Sequence, residues 1–98
     1  MLKVELDYRA EVDLFEIADY YDTQKQGLGQ RFLNEFKAAI DRIHRYPELY
    51  AILRNPYRSC SLNRFKYSII YRIDSDIIYI LAIMHQKRHP DVWRNRLK

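Results

Sequence analysis

Eight consecutive residues, Ile77-Ile78-Tyr79-Ile80-Leu81-Ala82-Ile83-Met84, carry no polar group except one tyrosine hydroxyl. A strand with one wet face alternates apolar and polar residues, so a strand apolar at every position must be covered on both faces. A helix is the other conformation open to such a run. The β-branched content and the turn before it favour strand. The chain therefore needs a sheet that holds this segment in its interior, with apolar elements to cover it.

The flanking sequence supplies them. Asp74-Ser75-Asp76 is a polar break that fits a tight hairpin, with Phe65 to Ile73 as the strand before it and Tyr57 to Leu62 as the strand before that. Near the N-terminus, Leu2, Val4 and Leu6 alternate with Lys3, Glu5 and Asp7, the pattern of a half-buried strand, and its expected place is beside the apolar one. Asp7 is placed to cap a helix starting at Tyr8. Ala10, Leu14, Ile17, Ala18 and Tyr21 form one face of that helix, and Glu11, Asp13, Glu16, Asp19 and Asp22 point largely away from it. Gly27 is expected to end it. A second helix begins near Gly29, buries Phe32, Phe36, Ala39, Ile40 and Ile43, and stops near Tyr46 ahead of Pro47. A loop containing Pro47 and Pro56 follows, and Pro90 to Arg96 suits a helical turn or two around Trp93. The expected fold is α+β in the order β-α-α-β-β-β. A helical hairpin packs on a small, mainly antiparallel four-stranded sheet, and residues 1–98 form a single domain.

Function classes can be narrowed in the same way. No apolar run approaches the ~20 residues of a membrane span, and the N-terminus lacks the apolar core of a signal peptide. Cys60 is the only cysteine, so no internal disulfide forms. These features lead us to expect a cytoplasmic chain with no membrane partner. His85 and His89 are four residues apart, but Pro90 follows and no acidic third ligand is near, so no metal site is expected. The sequence has no HExxH, CxxC, P-loop or GxGxxG, and no cofactor is expected.

Charge is unevenly distributed. Residues 1–50 hold seven Lys and Arg against ten Asp and Glu, and residues 51–98 hold ten against three, giving −3 and +7. A basic half of that kind suits a polyanionic or acidic partner. Its cations are interleaved with aromatics: Arg58, Arg64, Lys66 and Arg72 lie among Tyr57, Phe65, Tyr67 and Tyr71, and His85, Lys87, Arg88 and His89 cluster past the apolar strand. Metal-free cleavage of single-stranded RNA needs cations for the phosphate, a proton-transfer group and stacking rings. The bland alternative is long basic side chains lying over apolar strands.

The combined pattern resembles the RelE/ParE toxin superfamily. The resemblance is carried by Arg58 and Leu62-Asn63-Arg64-Phe65-Lys66-Tyr67-Ser68-Ile69-Ile70-Tyr71-Arg72-Ile73, by Ile77 to Ile83, and by His85, Arg88, Pro90, Trp93 and Arg96. In the front half it is carried by Ala10, Asp13-Leu14, Glu16-Ile17, Tyr20-Tyr21, Gly27-Leu28-Gly29, Arg31-Phe32, Ile40, Ile43 and Pro47. The resemblance implies a toxin held in a hetero-oligomer by a cognate antitoxin protein. Superfamily members act either on DNA gyrase or on mRNA in the ribosome. The Arg64-to-Tyr67 stretch and the tail resemble ParE-like toxins of the plasmid stabilisation group. Where nucleases of the superfamily place an arginine, this chain has Ser68, and its tail has no tyrosine. If the chain were a nuclease, His85, Arg58 and Arg88 would be its catalytic candidates. The candidates for contact with nucleic acid or target are Arg58, Arg64, Lys66, Arg72, Lys87, Arg88, Trp93 and Arg96.

Overall fold

The computed structural model describes residues 2–87 and Arg96. Its elements are β1 (Lys3–Leu6), α1 (Tyr8–Gln24), α2 (Leu28–Arg45), β2 (Ala51–Arg54), β3 (Tyr57–Ser61), β4 (Tyr67–Asp74) and β5 (Ile77–His85). The sheet order is β1-β5-β4-β3-β2. β1 runs parallel to β5, and every other pair is antiparallel. The apolar strand β5 thus lies inside the sheet, with β1 beside it as expected.

Both faces of β5 are covered. Toward the helices, Ile78, Ile80 and Ile83 join Ile69 and Tyr71 of β4 against Ala10, Leu14 and Ala18 of α1 and Phe32, Phe36, Ala39 and Ile43 of α2. On the opposite face, Leu81, Ala82 and Met84 pack with Ile70 and Tyr57. The register slips between Ile70 and Tyr71, which pair with Ala82 and Ile80, so Leu81 is an extra residue in β5. This bulge puts two successive residues, Leu81 and Ala82, on the same face.

Asp7 caps α1, its Oδ1 accepting the Arg9 N–H at 2.8 Å. Gly27 does not end α1, which stops at Gln24. It sits instead at the N-cap of α2 in the left-handed region, φ 87°. The Tyr71 side chain is fully buried, and its hydroxyl donates to the Pro47 carbonyl at 2.6 Å, tying the end of α2 to β4. Burial pushes that hydroxyl up to about 12.

The sheet has five strands rather than the four expected. Ala51–Arg54, read from sequence as part of a loop, is an edge strand paired to β3. All four of its residues are exposed, so no burial pattern marked it. The strand expected over Phe65 to Ile73 covers Tyr67–Asp74, because a turn with Arg64 at φ 70° occupies the preceding residues. The expected turn around Trp93 lies outside the described residues, apart from Arg96.

Candidate functional site

Residues in register across neighbouring strands share a face, so pairing decides which basic residues can act together. Tyr57 pairs with Arg72, Arg72 with Tyr79, and Tyr79 with Glu5. This row crosses the face away from the helices. The next row, Arg58, Tyr71 and Ile80, faces the helices. Arg58 and Arg72 are therefore on opposite sides of the sheet.

Arg72 is the centre of the outer row. Its guanidinium carbon lies 4.3 Å from the Tyr79 ring centroid and 5.8 Å from that of Tyr57. Its Nη1 donates to the Tyr57 hydroxyl at 3.0 Å, and its Nη2 is 3.6 Å from the exposed Asp74 carboxylate. The row opens into a cleft of about 380 Å³ lined by Asp7, Arg9, Pro56, Tyr57, Arg72, Tyr79, Leu81 and Arg96. Three arginines and two tyrosines thus surround one aspartate.

Asp7 organises that cleft. It accepts hydrogen bonds from the Arg9 backbone, from Arg9 Nε at 3.0 Å and Nη2 at 3.1 Å, and from the Tyr79 hydroxyl. The Arg9 guanidinium foremost, with the Tyr79 hydroxyl adding to it, holds the Asp7 carboxyl far below the usual carboxylate range against the opposing effect of burial. Burial, and then the bond to Asp7, pushes the Tyr79 hydroxyl up. A carboxyl depressed in the fold stabilises it above its unfolded value of 3.8. That contribution is lost as the pH falls through the folded value. Asp7→Asn keeps an acceptor for the Arg9 N–H and removes the charge. The variant is expected to be less stable than the parent at neutral pH, with the gap closing as the medium is acidified below about pH 4. Urea titrations at several pH values measure this, and a gap that stays constant would show that charge is not the cause.

Arg96 closes one end of the cleft. Its Nη1 and Nη2 bind Asp13 Oδ2 and Oδ1 at 2.6 and 2.9 Å, and Nη1 also donates to the Leu81 carbonyl at 3.3 Å. Asp13, read from sequence as one of a solvent-facing set, is mostly buried in this pair and also accepts the Ile83 N–H at 3.1 Å.

The other candidates lie elsewhere. Arg58 Nη1 is held by the carbonyls of Glu48 and Tyr50 at 3.0 and 2.9 Å, where it secures the loop after α2. Arg64 and Lys66 line a second cleft, of about 500 Å³, with Arg31, Glu35 and Phe65 at the end of the helical hairpin. Lys87 is exposed next to Gln86, whose N–H bonds the Lys66 carbonyl. His85 stacks edge-on against Tyr67, accepts the Lys87 N–H on Nδ1 at 3.1 Å, and lines a third cleft with Asp13 and Glu16. Arg88 and Trp93 lie outside the described residues. The described cations are thus divided among separate places: the Arg58 guanidinium is on the loop after α2, and His85 is beside Asp13 and Glu16. Arg9 and Asp7 were missed as site residues because a cap and its neighbour look purely structural in one dimension. Cys60 is buried and its thiol is pushed up by burial, so it is not an activated nucleophile. Among the described residues no group of three His, Cys, Asp or Glu could hold a metal ion. No described helix is long and apolar enough to cross a membrane.

Comparison with known proteins gives concordant findings. Residues 4–90 match the family model described as the ParE toxin of the type II toxin–antitoxin system, parDE. The chain is 35% identical over 82 residues to Toxin ParE2 of Mycobacterium tuberculosis, in strains CDC 1551 / Oshkosh and ATCC 25618 / H37Rv. The match covers 83% of this chain and 78% of each relative. Its fold matches a chromosomal ParDE toxin–antitoxin structure from P. aeruginosa with TM-score 0.66 at 19% identity, covering 87% of this chain and 96% of that one. It also matches E. coli toxin RelE, an arginine double mutant in complex with an antitoxin RelBc peptide, with TM-score 0.61 at 13% identity, covering 99% and 95%.

Proposed function

Because the chain belongs to the ParE toxin family of type II toxin–antitoxin systems, we propose that it arrests growth by trapping DNA gyrase on cleaved DNA. A cognate antitoxin, engaging the basic second half, would neutralise it. Gyrase and the antitoxin are cytoplasmic partners, so this reading places the chain in the cytoplasm.

The observation that carries the reading is the outer row. Arg72, flanked by Tyr57 and Tyr79, offers a planar cation between two rings. Such a group recognises phosphate or carboxylate without chemistry. Proton transfer at that position has little support. The Tyr79 hydroxyl is engaged by Asp7 and pushed up, and His85 lines a different cleft. Poisoning by binding needs no general base, whereas RNA cleavage needs one within reach of the hydroxyl it activates.

Purified gyrase, supercoiled plasmid and this protein, quenched with detergent and protease, should yield linear DNA. Arg72→Ala should raise the concentration needed about tenfold, the worth of one charged hydrogen bond. If the DNA stays intact and ribosome-phased mRNA cuts appear on expression instead, the gyrase reading is wrong and the nuclease reading takes its place. Co-expression of the cognate antitoxin should restore growth in either case.

A further inference from the structure

We infer that the cleft at the end of the helical hairpin docks an acidic segment of the cognate antitoxin, seated by one apolar side chain and held by Arg31, Arg64 and Lys66. The inference rests on the antitoxin reading given above and is independent of the toxin's target.

The cleft is built from two pieces of chain that local structure fixes. Phe65 lies in the turn between β3 and β4, and its ring packs edge-on against Tyr21 at 5.0 Å and Phe32 at 5.3 Å. The base of the turn is closed by the Leu62 N–H on the Tyr67 carbonyl and the Gln86 N–H on the Lys66 carbonyl, each at 2.9 Å. Phe65 is thus pinned to the hairpin, and its exposed neighbours Arg64 and Lys66 are carried to the cleft. Arg31 reaches the same cleft from the start of α2. Arg64 sits at φ 70°, a left-handed conformation that glycine or asparagine adopts at less cost. A bulky residue held there points to a task for its side chain.

These cations are uncommitted. Arg9, Arg58, Arg72 and Arg96 each bind a carboxylate or carbonyl of the chain itself. Among the described residues, the side chains of Arg31, Arg64 and Lys66 have no hydrogen bond or ion pair. They face a single acid, Glu35, in a cleft of about 500 Å³. Its apolar wall is Tyr21, Leu28 and Phe65, all half-buried.

That composition selects the occupant. Two guanidinium forks and an ammonium favour carboxylates or phosphates. The apolar wall adds a seat for a hydrophobic side chain, which a phosphate backbone lacks. Glu35 opposes a run of phosphates but can accept the N–H of a peptide backbone. A peptide with carboxylates on either side of one large apolar residue satisfies all three features. An antitoxin segment that orders on binding can supply it, drawn in by the charge of the cleft. This cleft shares no lining residue with the one around Arg72, so neutralisation and target contact use separate surfaces.

Titration of the purified full chain with its purified cognate antitoxin tests this. Arg31→Gln, Arg64→Asn and Lys66→Gln should each raise the Kd about tenfold, the worth of one charged hydrogen bond. Asparagine suits the backbone at position 64, all three side chains are exposed, and circular dichroism will confirm that each variant is folded. Lys37→Gln, an exposed cation of α2 outside the cleft, should leave the Kd unchanged. Raising the salt from about 0.1 M to about 1 M shortens the screening length from ~10 Å to ~3 Å. It should weaken the parent complex far more than that of the triple variant. An antitoxin that binds the parent and the three cleft variants alike would overturn the inference alone. One that does not bind the parent would overturn the antitoxin reading as well. Cleft variants that keep their antitoxin affinity but lose binding of a fluorescent single-stranded oligonucleotide would make this a nucleic-acid site instead. No gyrase is present, so the result bears on the cleft alone.

Discussion

Gly29→Ala is expected to destabilise the protein by about 2–3 kcal/mol, the upper part of the range for overpacking a closed interior. The sign is informative, because alanine in a helix is ordinarily worth about 1 kcal/mol more than glycine. Gly29 lies in the first turn of α2, where the hairpin brings that turn against α1. Its N–H donates to Asp22 Oδ1 at 2.8 Å. A Cβ there would overlap the Ala18 carbonyl oxygen and stand 2.8 Å from the Asp22 carboxylate. The carbonyl belongs to the α1 backbone and cannot turn aside. Asp22 can swing away only by releasing the Gly29 amide. The helices must therefore part where Gly29 meets Ala18. For a chain of this size the loss corresponds to a fall in Tm of roughly 10–20 °C by thermal circular dichroism. Gly27→Ala is the control: nothing lies within 4 Å of a Cβ there, and only φ of +87° opposes it, a strain of about 1 kcal/mol. Equal Tm values for Gly29→Ala and the parent would mean the two helices are not in such close contact.

Asp13→Ala is expected to lower stability by a similar or larger amount, about 2–4 kcal/mol. β1 pairs with β5 only as far as Leu6 and Ile80, and the flank of β5 beyond that point needs other partners. Asp13 supplies one by accepting the Ile83 N–H, and Arg96, held by Asp13, supplies another by donating to the Leu81 carbonyl. Truncating the carboxylate strands a guanidinium only 19% exposed together with a buried strand amide. Arg96→Ala should cost less, because the Ile83 amide keeps its acceptor. The double variant should lose less than the two single losses combined, since the pair is broken only once. Urea unfolding of the four proteins yields that coupling directly. If Asp13→Ala falls within about 0.5 kcal/mol of the parent, the pair behaves as an exposed ion pair would.

The elements that sequence predicted well are those whose residue pattern is imposed by burial. The apolar run of β5, the alternation of β1 and the seam of Phe32, Phe36, Ala39 and Ile43 record what covers them, and Asp7 records a local cap. β2 was not visible for the same reason. Its residues are exposed on both faces, and it is a strand because β3 hydrogen-bonds it, which leaves no periodic mark. The site was harder to read. Arg58 and Arg72 both fall on strands of a basic, aromatic stretch, but only the β3–β4 register shows that one faces the helices and the other faces away. Asp13 belongs by its spacing to an acidic solvent-facing set, and its pairing with a residue 83 positions later cannot be read from local sequence.

The parallel contact between β1 and β5 has a consequence for synthesis. Among the described residues the first strand's one neighbour in the sheet is β5, so while the polypeptide is being made residues 3–6 have no such strand to dock on until the segment ending at His85 has emerged from the ribosome tunnel. The helical hairpin can form early from local contacts, but the sheet closes late, with the long-range pairing that slows folding. Asp7 and Arg9 wait with that strand, so the cleft they share with Tyr79 and Arg72 assembles only once β5 has docked beside β1.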